Sequence, residues 1–420
     1  MLLQSSNILF PSLPVRKTLL NTAKVKAHTL IQQVNKNLSK VTPSDDSLVG
    51  GYLGLAMYYF SLYRAEGKEL YAEKGIDIFY GIFDRLNSNQ TMVNRYAFSN
   101  GLCGLNTSID MLITDGLLPI DLREETKQLD EILFAEAKEM IKKKQNDYLH
   151  SSLGILSYFG NKLPDQRINQ LVNSLLDQLF EQVNESVDFC WLPNIVTAGQ
   201  DGSEINFSLS HGQCSFLIIL LNLLEKGVKS DRLKQLVEKG IHHVLSYRKE
   251  IGVEGNLLSV FPNTIRPKER NATFLNRLAW CYGDLNEVYM LYKAGIVLEQ
   301  IKYTSVADFV GTYSTTRTTT VQTLCTDSHF CHGSAGIAQF YNTLFQLQPI
   351  DAYRNAYHYW ILETIDLLEK ELDADFYKSK EADLLEGMLG PALTLLSFIE
   401  DKSMTWPQLF LLEKHQPVPL

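Results

Sequence analysis

Apolar residues along the chain fall into two alternating patterns. Some segments, such as 55–64 (LAMYYFSLYR) and 216–224 (FLIILLNLL), are apolar on almost every side. Others, at 72–86, 124–144, 166–183, 231–247 and 352–372, set apolar residues at helical spacing against a charged face. The first pattern predicts helices buried all round, and the second predicts amphipathic helices that cover them on one side. A glycine step precedes each apolar run. Gly51-Tyr-Leu-Gly54, Gly101-Leu-Cys-Gly104, Cys331-His-Gly333-Ser-Ala-Gly336 and Glu386-Gly387-Met-Leu-Gly390 keep both glycines. His150-Ser-Ser-Leu-Gly154 keeps the second only, whereas His211-Gly212-Gln-Cys-Ser215 and Cys281-Tyr-Gly283-Asp-Leu-Asn286 keep the first.

The steps begin at 51, 101, 151, 212, 283, 333 and 387, at intervals of 50, 50, 61, 71, 50 and 54. A fixed period of this size marks a repeat architecture, with one helical pair per unit. Seven buried helices, each sheathed by an amphipathic one, predict an all-α fold: an α/α toroid with inner and outer rings of seven helices. Glycine at the start of each inner helix permits close backbone approach. The expected organisation is an N-terminal helical segment, 1–44, packed on a seven-repeat barrel, 45–420. Residues 189–210 and 251–272, around the fourth repeat, lack helical periodicity and predict long loops near one rim.

Composition narrows the picture. The chain has 420 residues, 45% hydrophobic and 21% charged, which suits a globular protein. Simple division by domain size would give several domains; the repeat replaces that with one closed ring. The net charge of −9 argues against a nucleic-acid partner, which needs a basic surface. The apolar run at 216–224 is far short of a transmembrane segment, and the N-terminus lacks signal-peptide character. Six cysteines without a CxxC pair read as free thiols or metal ligands, so a cytoplasmic location is expected.

Residues just before each glycine step should converge on one end of the toroid. That end would collect Asp147, His150, His211, Cys281, Cys331 and His332. Two cysteines and a histidine at helix starts of adjacent repeats suit Zn²⁺, with three protein ligands leaving a fourth position for substrate. Taken singly, Cys281 also reads as a core cysteine and Cys331-His332 as a helix-capping pair. The repeat register joins them.

Trp280-Cys-Tyr-Gly283 and Cys331-His-Gly-Ser-Ala-Gly336 resemble the WCYG and CHGxxG motifs of the LanC family, the lanthionine synthetase cyclases. Asn206 with Ser210-His211-Gly212 resembles the family's NxxxxHG landmark, and the seven steps match its seven-fold barrel from about residue 45 onward. The resemblance implies a zinc-dependent stand-alone lanthipeptide cyclase. Such an enzyme adds precursor cysteine thiols to dehydroalanine or dehydrobutyrine, forming lanthionine or methyllanthionine thioethers by Michael-type addition. It implies Cys281, Cys331 and His332 as zinc ligands and His211 as the general acid/base. Asp147 would orient or electrostatically tune that chemistry, Arg277 would stabilise the enolate oxygen, and Tyr282 would position substrate. Helix capping for Asp147, a structural ion pair for Arg277 and packing for Tyr282 stay open, and Asp327 and His329 are left unassigned. The implied partners are a dehydrated precursor of leader plus core peptide, a separate dehydratase and an export complex.

Two competing readings remain. One is a LanC-like scaffold that keeps zinc and binds peptides or thiols without turnover, suggested by the altered third, fourth and fifth steps. The other is a zinc thiol alkyltransferase resembling protein prenyltransferases, which the CHG motif disfavours. Cys214, three residues from His211, reads as a packing residue.

Overall fold

A computed structural model of the chain describes residues 14–88, 90, 95–118, 122–197, 204–250, 257–266, 271–400 and 404–413. Seven helices follow the seven glycine steps: α2 (Tyr52–Glu66), α4 (Leu102–Thr114), α6 (Ser152–Asn161), α8 (Gln213–Glu225), α10 (Asp284–Val297), α13 (Ser334–Leu347) and α15 (Leu389–Ile399). They pack on one another in that order, and α15 returns to α2, so the inner ring closes. Their all-round apolar character is met by burial: in α8, Phe216 to Leu221 are each at most 1% exposed.

The amphipathic segments form α3 (Glu69–Asn87), α5 (Arg123–Lys142), α7 (Gln166–Gln182), α9 (Asp231–Ser246), α11 (Ile301–Ser314) and α14 (Asp351–Asp373). Each packs on the inner helix that precedes it in sequence. Side-chain caps fix two of the starts: Asp165 accepts from Ile168 N, and Ser230 accepts from Leu233 N. After α15 the only further element among the described residues is a 3-10 turn, Trp406–Phe410. The outer side of α15 is covered instead by α1 (Lys17–Leu38), which packs on both α15 and α14. The first helix therefore sheathes the last inner one, and the outer ring also numbers seven.

A C-terminal segment, 404–413, runs into the centre of the ring. Tyr148 Oη donates to Leu409 O at 2.8 Å and Trp280 Nε1 to Phe410 O at 2.9 Å, while Glu413 N donates to Tyr289 Oη at 3.0 Å. Trp406, Leu409, Phe410, Leu411 and Leu412 are each at most 3% exposed. The plug is thus bonded to residues of several repeats at once.

The rim segments expected as irregular loops contain short strands. β1 (Asn184–Glu185) pairs antiparallel with β2 (Cys190–Trp191). β3 (Ile205–Asn206), β4 (Thr264–Arg266) and β5 (Asn271–Thr273) form an antiparallel sheet in the order β3-β4-β5. Strands of two or three residues are too short for alternation to show in sequence. Of the two expected loops, 198–203, 251–256 and 267–270 lie outside the described residues. A single helical turn, α12 (Thr320–Thr323), lies between α11 and α13.

Candidate functional site

The loops that enter the inner helices are laced together by backbone hydrogen bonds. Leu384 N donates to Val49 O, Leu48 N to Ser99 O, Ser99 N to Leu149 O, Cys281 N to Cys331 O and Cys331 N to Leu385 O, all at 2.7–3.1 Å. Ser210 Oγ reaches Cys281 O at 3.4 Å. These residues sit two positions before the first glycine position of their repeats, or three in the case of Leu48 and Leu384. The lacing therefore sets equivalent positions of neighbouring repeats side by side. Cys281 and Cys331 are one such pair, which is why residues 50 apart in sequence meet.

Two glycines are demanded by close approach. Gly283 has φ +110, and a Cβ there would lie 1.9 Å from Arg277 O. At Gly333 a Cβ would lie 2.4 Å from Asp327 Oδ1. No side chain fits either position without moving the loop that carries Arg277 or Asp327.

Where a step departs from the glycine pattern, the substituent has its own partners. Asn286, in place of the second glycine, donates to Trp280 O at 3.0 Å and accepts from Leu209 N at 2.8 Å. Asp284 is fully buried, pairs with Arg317 Nη1 at 2.7 Å and accepts from Val260 N and Phe261 N at 3.0 and 2.9 Å. Burial pushes its carboxyl up, against the Arg317 guanidinium. It anchors the segment that leads into β4. Ser215, in the fourth step, donates to Gly212 O at 2.8 Å. Cys214 is fully buried and donates to Glu287 Oε1 at 3.6 Å, inside the inner ring.

Arg277, Cys281, Tyr282 and His332 line one cleft of about 430 Å³, with Asn263, Thr264, Thr273 and Leu275 from the rim sheet and its flank. A hydrogen bond from Cys331 holds the Cys281 thiol below its ordinary value against burial, and Arg277 adds to this. The same pairing, with burial, pushes Cys331 well up. Burial lowers His332, opposed by Asp327, which favours the neutral imidazole that a metal ligand must be. His332 Nε2 lies 3.9 Å from Asp327 Oδ2, and Asp327, His329 and His332 bring their donor atoms within 4.8 Å of one another. Cys281 and His332 line this cleft and Cys331 bonds Cys281, but among the described residues the donor sets gathered within 4.8 Å are Asp327–His329–His332 and Asp147–His150–His211, not these three. By their chemistry, two thiols and an imidazole suit a borderline divalent cation.

One repeat away, His211 Nδ1 meets Asp147 Oδ2 at 2.9 Å. Asp147 is 0% exposed; its Oδ1 accepts from His150 N at 2.8 Å, and Asn194 donates to its Oδ2 at 3.3 Å and to His211 O at 3.0 Å. A buried carboxylate on Nδ1 fixes the tautomer and leaves Nε2 unprotonated in the neutral ring, the arrangement of an acid–base imidazole. Tyr282 Oη accepts from Asn206 Nδ2 at 2.6 Å, which holds the phenol over the cleft. Of the seven site residues expected from sequence, Arg277, Cys281, Tyr282 and His332 share one cleft, Cys331 pairs with Cys281, and Asp147 pairs with His211. Sequence reasoning missed Asn194, because its loop has no periodicity to place it, and did not assign Asp327, whose proximity to His332 depends on the loop's fold.

A family model described as lanthionine synthetase C-like protein matches residues 42–411. Among solved structures, a nisin cyclase superposes with a TM-score of 0.70 at 19% identity, covering 94% of this chain and 98% of that one. An inactive variant of an alpha-1,6-mannanase from Salegentibacter sp., in complex with alpha-1,6-mannotetrose, has a TM-score of only 0.40 at 12% identity, covering 93% of this chain and 99% of that one. No curated protein matches the chain in sequence.

Proposed function

From the premise that the chain belongs to the lanthionine synthetase C-like family, we propose that it is a zinc-dependent lanthipeptide cyclase. It adds cysteine thiols of a dehydrated precursor peptide to dehydroalanine or dehydrobutyrine, forming lanthionine or methyllanthionine rings. The observation that carries this reading is the Cys281–Cys331 thiol pair, with Cys281 and His332 lining one cleft and the Asp147–His211 dyad one repeat away.

Cys281, Cys331 and His332 would hold the zinc. Bound there, the ion would lower the pKa of a substrate thiol from about 8.5 so that the thiolate forms at neutral pH. Asp147 keeps the His211 proton on Nδ1 in the neutral ring and stabilises the imidazolium, so Nε2 delivers a proton to the α-carbon once the C–S bond has formed. Arg277 borders the same cleft as Cys281 and supplies positive charge where the enolate oxygen develops. Tyr282, held by Asn206, limits where the peptide backbone lies. The partners Asn286 and Asp284 find show that the altered fifth step keeps its loop in place, which favours an enzyme over an inert scaffold.

A separate dehydratase would supply the dehydro residues, with an export complex downstream. Among the described residues no helix is long and apolar enough to cross a membrane; a cytoplasmic site of action is part of the proposal. The test is incubation with a dehydrated precursor, followed by thiol alkylation and mass spectrometry. Progressive loss of alkylatable thiols without a mass change is expected. Thiols that stay fully alkylatable with zinc bound would sink the reading.

A further inference from the structure

Four consecutive repeats place an imidazole or a phenol one residue before the first glycine position: His150, His211, Tyr282 and His332. The proposed chemistry uses the last three and leaves His150 idle. Its surroundings are built nonetheless. Ser99 Oγ lies 3.0 Å from His150 Nδ1, and the His150 backbone N–H is held by Asp147 Oδ1 at 2.8 Å. The His150 and His211 rings stack with centroids 5.5 Å apart and planes within 19°. Both are anchored through Nδ1, and both anchors lead to Asp147 or to the laced loops. The three residues also grade in exposure, from a fully buried Asp147 through a partly buried His211 to an exposed His150.

We propose that His150 is the proton partner of His211. Its Nε2 takes up the proton that the substrate thiol gives up and returns it to His211 after each addition. This rests on the cyclase reading. In the addition the S–H bond breaks and the C=C π bond is lost, while S–Cβ and Cα–H bonds form. No proton is consumed overall, but one is released at sulfur and another is required at the α-carbon. To do both alone, His211 would have to reach the sulfur and the α-carbon within one addition. His211 is partly buried, whereas His150 is open to solvent and can exchange its proton there.

The groups that face His150 are Asp147, His211, Arg95 and Ser99. Partial desolvation lowers the His150 pKa, with His211 and Arg95 adding and Asp147 opposing, so the ring is neutral and able to accept at neutral pH. For Nε2 to accept, the resting proton must sit on Nδ1 and point to Ser99 Oγ. That is a directly measurable tautomer.

Ring nitrogen chemical shifts of ¹⁵N-histidine-labelled protein are expected to show His150 as the Nδ1–H tautomer; an Nε2–H ring overturns the proposal. With a dehydrated precursor, His150→Asn and His150→Gln are expected to keep zinc and melting temperature while cyclising roughly 10²-fold more slowly. Added imidazole should restore the rate, which a structural loss would not allow. A variant as fast as the wild type, or a slow one that imidazole does not restore, overturns it. A wild type that leaves every thiol alkylatable removes the cyclase reading and this inference together. A competent wild type beside an unimpaired variant removes the inference alone.

Discussion

Cys281 and Cys331 illustrate how little of a residue's chemistry is intrinsic to it. The six cysteines have the same side chain, yet burial, with nearby carboxylates adding, raises Cys190 and Cys325 to about 12, while Cys281 is drawn down by its neighbour's thiol and Arg277. Replacing Cys281 with Ala should abolish stoichiometric zinc binding, read by metal analysis of the dialysed protein, because one thiolate and one imidazole leave a weak site. His211→Asn should keep the zinc but reduce cyclisation by roughly 10²- to 10⁴-fold, the range of a lost general acid. A variant that cyclises at the normal rate would remove His211 from the mechanism. The motifs made these residue types visible. Asn194 and Ser99, which hold the dyad and its neighbour, carry no such mark, since their side chains become specific only through what the folded rim sets beside them.

Among the elements, the rim depends on contacts between segments with no common pattern. His243 of α9 is 5% exposed and stacks on Trp191 of β2 at 5.2 Å, with Phe207 and Tyr247 closing around it. Burial lowers its pKa from 6.5 to about 4. Its folded value lies below the unfolded one, so the unfolded chain binds more protons between these limits. The stabilisation is complete above pH 6.5 and is lost as pH falls toward 4, by about 3 kcal/mol. Melting followed across this window should show that slope, and His243→Gln should flatten it. Gly283→Ala tests the loop register. With φ +110 and a Cβ 1.9 Å from Arg277 O, it should cost about 1–3 kcal/mol in denaturant unfolding and displace Arg277 from the cleft. The helices were legible because amphipathic and all-round apolar patterns differ over three or more turns. The exception is α11, where exposed Ile301 and Phe309 blur the polar face.

For the whole molecule, closure decides what the parts mean. The plug at 404–413 buries five large apolar side chains at about 1.5–3 kcal/mol each, comparable with the total stability of about 5–15 kcal/mol typical of folded proteins. A chain ending at residue 403 should therefore lose its cooperative melting transition in calorimetry. A truncated protein that melts as sharply as the full chain would show the ring to be self-sufficient. The same closure assigns α1 to the outer face of α15, although the two lie at opposite ends of the sequence. By itself the sequence determined the seven-fold ring, its two layers and the candidate chemistry, because a period near 50 residues and a helical hydrophobic pattern are local properties repeated along the chain. The tertiary structure alone decided that the Cys281 and Cys331 thiols meet, how Asp147 and Asn194 fix His211, and what fills the centre. Those depend on distances between residues far apart in sequence, which only the closed ring brings together.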